Sequence, residues 1–210
     1  LENIRQDDLE GVKQVKTKFE KLRSNHAWFN DWRACNLWTA AFFWNNTEEN
    51  KQAAPNSERL AKFLQNPAAA YGPMIGKADA LSLEHKFFHW PLEFPDVFEQ
   101  GGFDVMLGNP PWERIKFEEK EFFINRVPEI SNAKTKAKRT RLIESLKIDK
   151  PLIYEEYIGG LHRAESLGKF IRFSSRFGLT ASGDLNTYSI FTELVTNTIN
   201  GSGRMAVIVP

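Results

Sequence analysis

Cysteine is almost missing from this sequence: Cys35 stands alone, which excludes an internal disulfide and suits a reducing cytoplasm. Long apolar runs are missing too. None approaches the roughly 20 residues that a membrane-spanning helix needs, so no membrane partner is expected. The opening residues Leu1-Glu2-Asn3-Ile4 lack an initiator Met and the charged-then-apolar pattern of a signal peptide. Charge of one sign is also in short supply. With 28 Lys and Arg against 27 Asp and Glu the net charge is +1, so a surface for a polyanion must be local. What remains is the composition of a folded soluble domain: 41% hydrophobic and 26% charged residues in a chain of 210. Aromatic residues are plentiful, with 17 Phe and 6 Trp. Met205-Ala206-Val207-Ile208-Val209 reads as a buried-type strand with nothing after it to complete a sheet. The chain is therefore expected to be a piece of a longer protein.

The first 98 residues read as mainly helical. Leu9, Val12, Val15, Phe19 and Leu22 recur at three- and four-residue steps across 7–24. Trp28, Trp32, Leu37, Trp38, Ala41, Phe42 and Trp44 give 28–44 the look of a helix buried on most of its circumference. Such a ring-rich segment can also serve as a platform for stacked bases, but only Arg33 lies among the rings, which favours packing. Residues 45–58 read as a loop, with Ser57 capping a helix to about Leu64. Pro67, Gly72, Pro73 and Gly76 break the next stretch, and 78–88 is predicted to be a helix. His85 and His89 have the spacing of two metal ligands on one helix face. They lack a third ligand, so no metal site is assigned.

From residue 99 the pattern changes. Gly101-Gly102 marks a turn, and Phe103-Asp104-Val105-Met106-Leu107-Gly108 is a short apolar run closed by Gly and two prolines, as expected of a buried parallel strand that ends in a loop. Residues 117–182 follow as a charged helical insertion. A further helix from Asn186 carries Tyr188, Phe191, Leu194 and Val195, and Asn200-Gly201-Ser202-Gly203 is read as its C-terminal turn before a strand from Met205. Helix, glycine turn and strand in series indicate an α/β layer.

Asn109-Pro110-Pro111-Trp112, at the end of an apolar strand, resembles the catalytic motif of adenine-specific DNA methyltransferases. Asp184-Leu185-Asn186-Thr187-Tyr188 with Phe191 and Glu193 is similar to the helix that follows this motif in large bacterial restriction-modification methylases. Residues 203–210 resemble the next strand there. Glu113-Arg114-Ile115-Lys116 and residues 87–98 look like the type IIG subset, in which methylase and nuclease share one chain. The resemblance implies a partial Rossmann-like methyltransferase core with two or so parallel-type strands, behind a large helical N-terminal part. It implies S-adenosylmethionine as methyl donor in the full-length protein, double-stranded DNA as partner, and a nuclease domain or separate restriction partner.

The chemistry accounts for the motif. An exocyclic amine on a base is a poor nucleophile, because its lone pair is delocalised into the ring. Flipping the base out of the duplex costs roughly a few kcal/mol. By the resemblance, the Asn109 side-chain oxygen and the Pro110 carbonyl accept hydrogen bonds from that amine and aim its lone pair at the methyl group. Pro111 stiffens the loop, and Trp112 offers a stacking face. The donor's Phe-x-Gly-x-Gly loop is not in this sequence, and cofactor-binding residues are left unassigned; Asp79 and Glu93 lie where a contacting carboxylate is sought, but neither is chosen. Nor does a Pro-Asp…Glu-x-Lys nuclease core stand out. Arg114, Lys116 and the cluster Lys134, Lys136, Lys138, Arg139 and Arg141 are candidate phosphate contacts. Rival readings are a non-catalytic DNA-binding or specificity module, and amino-methyl transfer to cytosine, RNA or protein.

Overall fold

A computed structural model describes residues 8–210, so the opening Leu1-Glu2-Asn3-Ile4 and the first residue of the 7–24 segment lie outside the described residues. Helices dominate, and the only sheet among the described residues is a parallel pair, β1 (Phe103–Gly108) with β2 (Ile199–Val207). The class is α/β with a very small β component. The chain divides into two compact units, one of Leu1–Gly108 with Val195–Ala206, the other of Asn109–Leu194 with Val207–Pro210.

In the first unit, α1 (Leu9–Arg23) starts where the Asp8 carboxylate accepts from the Gly11 N–H at 2.6 Å. Helix α2 (His26–Phe43) is capped by the Asn25 side chain accepting from Ala27 N–H. Leu37 and Ala40 bury its inner stripe, and Trp44 follows them. They pack on Phe63 from α4 (Ser57–Gln65) and on Met74, Ile75 and Ala78 from α5 (Gly72–His85). Asn56 rather than Ser57 caps α4, accepting from Arg59 N–H, and a short α3 (Glu48–Lys51) interrupts the expected loop.

Gly72, Pro73 and Gly76 do not break the chain. They open α5, because a proline in the first helical turn gives up an N–H that has no partner there anyway. The helix then ends at His85, with Lys86 in the left-handed region at φ 53°. His89 consequently lies beyond it, and the helix face expected to carry both histidines does not exist. The His89 ring meets the Asn36 carbonyl oxygen at 2.8 Å, and the His85 ring packs on Phe43. Among the described residues no group of His, Cys, Asp and Glu could hold a metal.

Phe103, at the start of β1, is ringed by Trp90 of α6 (Trp90–Glu93), Phe94, and Phe98 of α7 (Pro95–Glu99). Glycine is required twice beside it. At Gly102, φ is +122° and a Cβ would stand 2.5 Å from the Thr198 carbonyl oxygen. At Gly203 a Cβ would stand 2.8 Å from Phe103 O. Residues 200–203 are not the helix-ending turn that the sequence suggests: α12 (Thr187–Thr198) runs directly into β2, which starts at Ile199. The Asn200 amide donates to Asp104 and its oxygen accepts from Ser202 N–H, so the polar segment is satisfied as strand. Nor is β1 buried as expected: Val105 is 58% and Leu107 76% exposed.

The second unit has two cores. One gathers Phe123 of α8 (Glu119–Ile124), Ile130 of α9 (Pro128–Ser131), Ile143 and Leu146 of α10 (Lys136–Asp149), and Tyr157 of α11 (Pro151–Phe173). Tyr157 donates to Glu119 at 2.9 Å; burial first, then that carboxylate, pushes its phenol up to about 12. The other core joins Ile171, Phe177, Leu185 and Ile190, with Ile115 packed against them. Phe123 has no exposed surface. We expect Phe123→Ala to cost about 3–5 kcal/mol by creating a cavity, read as a lowered midpoint in denaturant unfolding; a cost below about 1 kcal/mol would show a loosely packed core.

Candidate functional site

The loop Asn109-Pro110-Pro111-Trp112 leaves the end of β1, and the chain holds it by its C-terminal flank. Residues 113–115 lie beside residues 185–187 in a short antiparallel bridge. Ile115 N–H donates to Leu185 O at 2.8 Å, and Thr187 N–H donates to Glu113 O at 2.9 Å. Ile115 then buries its side chain against Leu185 and Ile190. The Thr187 hydroxyl lies 2.5 Å from Pro111 O and 2.9 Å from Glu113 N. The indole N–H of Trp112 donates to Ile208 O at 3.3 Å. Its edge is thereby tethered while the residue stays 54% exposed. A planar group with one edge fixed and a face in solvent can receive another flat ring. Asn109 is also exposed.

Glu193, further along α12, ties the segment before this helix to it. Although buried, its carboxylate accepts from Leu179 N–H at 3.0 Å, from Thr180 N–H at 2.9 Å and from the Thr180 hydroxyl. Burial works to raise this carboxyl, but the bonds from Thr180, Leu179 and Gly178 outweigh it and hold it below the usual range. Neither Thr187 nor Glu193 was assigned a role from sequence. Their signal there was only membership of the segment that resembles the post-motif helix.

The basic candidates separate by environment. Lys134, Lys136, Lys138 and Arg141 are exposed. Lys136 and Lys138 lie in the first turn of α10, which carries no acidic residue. Cations at this end add to the positive end of the helix dipole. Arg139 differs: its side chain is 16% exposed and donates to Glu119 at 2.9 Å, a carboxylate that also accepts from Tyr157. Lys116 pairs with Glu118 at 3.1 Å. Arg114 is exposed beside the bridge. Of the two carboxylates left unassigned, Asp79 pairs with Arg33 and Glu93 with Arg23. The Trp28, Phe29 and Trp32 rings are half-buried and stack on one another. Arg33 lies over Phe29, as packing rather than a free platform requires.

A family model described as Eco57I restriction-modification methylase matches residues 15–150, more than half of the chain and inclusive of the Asn109-to-Trp112 loop. The chain belongs to the Eco57I restriction-modification methylase family. It is thus a methyltransferase of restriction-modification type. No curated protein and no solved structure gives a significant match. Methylases of this kind generally use S-adenosylmethionine, whose cradle is a glycine turn leading from a strand into a helix. The described residues do not form one. Strand β1 runs into Asn109-Pro110-Pro111, Gly101 and Gly102 come before it, and Gly72 and Gly76 lie in α5 without a preceding strand.

For Glu193, folded-state ionisation is favoured over the unfolded state. Its contribution to stability is complete above the unfolded carboxylate value and is lost as pH falls through the lower, folded one. We expect Glu193→Gln to be less stable than the parent at neutral pH and the gap to narrow below about pH 4.5, followed by thermal unfolding across pH. A gap independent of pH would show that the carboxylate's charge contributes nothing.

Proposed function

We propose that this methylase carries a methyl group to the exocyclic amine of adenine in double-stranded DNA, with the flipped base held by the Asn109-to-Trp112 loop. The observation that carries the reading is the exposed Trp112, tethered by its indole N–H, three residues after Asn109. Asn109 Oδ1 and Pro110 O serve as the two acceptors for the amine N–H groups. Two such acceptors draw the nitrogen toward tetrahedral geometry and free its lone pair, so positioning and electrostatics suffice without a perturbed general base. Stacking on Trp112 returns on the order of 1–3 kcal/mol against the cost of flipping. Asn109 as the first motif residue favours adenine over cytosine.

S-adenosylmethionine is the donor in this reading, and its cradle belongs to sequence beyond the described residues. The exposed apolar face of β1 supports the same view. Val105 and Leu107 suit the inside of a larger Rossmann-like sheet, since parallel strands are normally covered on both faces. The chain is then the base-capturing part of a longer type IIG enzyme. Lys134, Lys136, Lys138 and Arg141 supply phosphate contacts from the start of α10, where their charge and the helix end reinforce one another.

In the intact enzyme, Asn109→Ala is expected to lower methylation by more than about 100-fold while the DNA Kd changes by less than about threefold. Retention of most activity would remove Asn109 from the proposed role. Neutralising Lys134, Lys136, Lys138 and Arg141 together is expected to weaken binding to all sequences alike. It should also flatten the dependence of log K on log salt by roughly 0.9 for each phosphate that no longer meets a cation. An unchanged slope in a binding titration would mean that these side chains face only solvent.

A further inference from the structure

We propose that Thr187 is a positioning residue for the base-stacking loop, acting through one hydroxyl that bridges the backbone on both sides of Trp112. The proposal builds on the methyl-transfer reading for its kinetic consequences, whereas its geometry stands apart from that reading.

Pro110 and Pro111 have no N–H, so the loop cannot be fixed by amide donors of its own at those residues. Two of the groups that flank Trp112 are the Pro111 carbonyl and the Glu113 amide. Both meet Thr187 Oγ1, at 2.5 Å and 2.9 Å. A hydroxyl has one hydrogen and two lone pairs. Here it donates to Pro111 O and accepts from Glu113 N–H, which uses the donor and one acceptor site together. Glu113 O also lies 3.1 Å from the same oxygen, but it already accepts from Thr187 N–H at 2.9 Å. The hydroxyl hydrogen is therefore best used on Pro111.

Trp112 is then held at three points: its preceding carbonyl, its following amide, and its indole N–H on Ile208 O. The first two converge on a single side chain at the first residue of α12. A side chain capping its own helix would direct its oxygen at amides two or three residues onward. The Thr187 oxygen is turned instead toward the loop. Valine has the same shape without the hydroxyl, whereas serine keeps the hydroxyl and loses a methyl group.

The test uses the full-length methylase with Thr187→Val and Thr187→Ser. Amide hydrogen exchange at Glu113 is read first, because it needs no substrate. Loss of the acceptor in the valine variant is expected to speed exchange there by about 10-fold, the equivalent of one hydrogen bond, with serine near the parent rate. Methylation is read second. Valine should lower kcat by roughly 10- to 100-fold, as a small misplacement of a reacting group does, with KM for DNA changed less than about threefold. Serine should restore most of kcat.

Unchanged exchange at Glu113 in the valine variant would overturn the bridge. Faster exchange with unchanged kcat would overturn the positioning role. Loss of kcat that serine does not restore would equally overturn it, by tracing the effect to packing of the methyl group. Should Asn109→Ala remain active while valine still speeds Glu113 exchange, the methyl-transfer assignment of the loop fails and the bridge stands.

Discussion

Two consecutive prolines set the terms for everything around them. A loop containing Pro110 and Pro111 is stiff, yet it has surrendered the amides by which loops are usually tied down. Its conformation must come from its carbonyls, from the residues that flank it and from what the rest of the chain offers them. Here the offer comes from residues 185–187, which lie far along the sequence and themselves rest on Leu185 and Ile190 in a buried core. A proline loop with an exposed aromatic residue is thus supported by an apolar cluster it does not join.

The sequence carried the local rules and missed most of the long-range ones. Strand β1 was legible to the residue, since an apolar run bounded by glycine and by two prolines has few other readings. Helix α2 was legible from its rings. Gly72, Pro73 and Gly76 misled because the same residues that stop a helix also start one, and position within the first turn decides which. Asn200-Gly201-Ser202-Gly203 misled for a related reason. Its polar groups find partners at Asp104 and within the segment itself, so it is held as strand. Nothing local in Thr187 announces that its hydroxyl reaches a loop 76 residues earlier.

Charge tells a similar story. Five basic residues between positions 134 and 141 look alike in the sequence, and their different fates follow from where the fold places each, Lys134 before α10 and the other four on it. Arg139 donates to Glu119, which also accepts from Tyr157, and is half-buried there. Its neighbours remain in water. Removing Arg139 would leave a partly buried carboxylate without its cation, an effect on folding rather than on a surface. A run of like charges is therefore a poor unit of inference.

The contacts around Trp112 share one further property. Its indole meets a carbonyl 96 residues away, and Thr187 reaches back 76 to Pro111. The helical cores, by contrast, are built from elements close in the chain. Closing a long span costs conformational entropy that neighbouring helices do not face, and folding of α8, α9, α10 and α11 shortens the free span before it is closed. On that ground the helices are expected to form early, and the Trp112 ring to acquire its final orientation among the last events of folding.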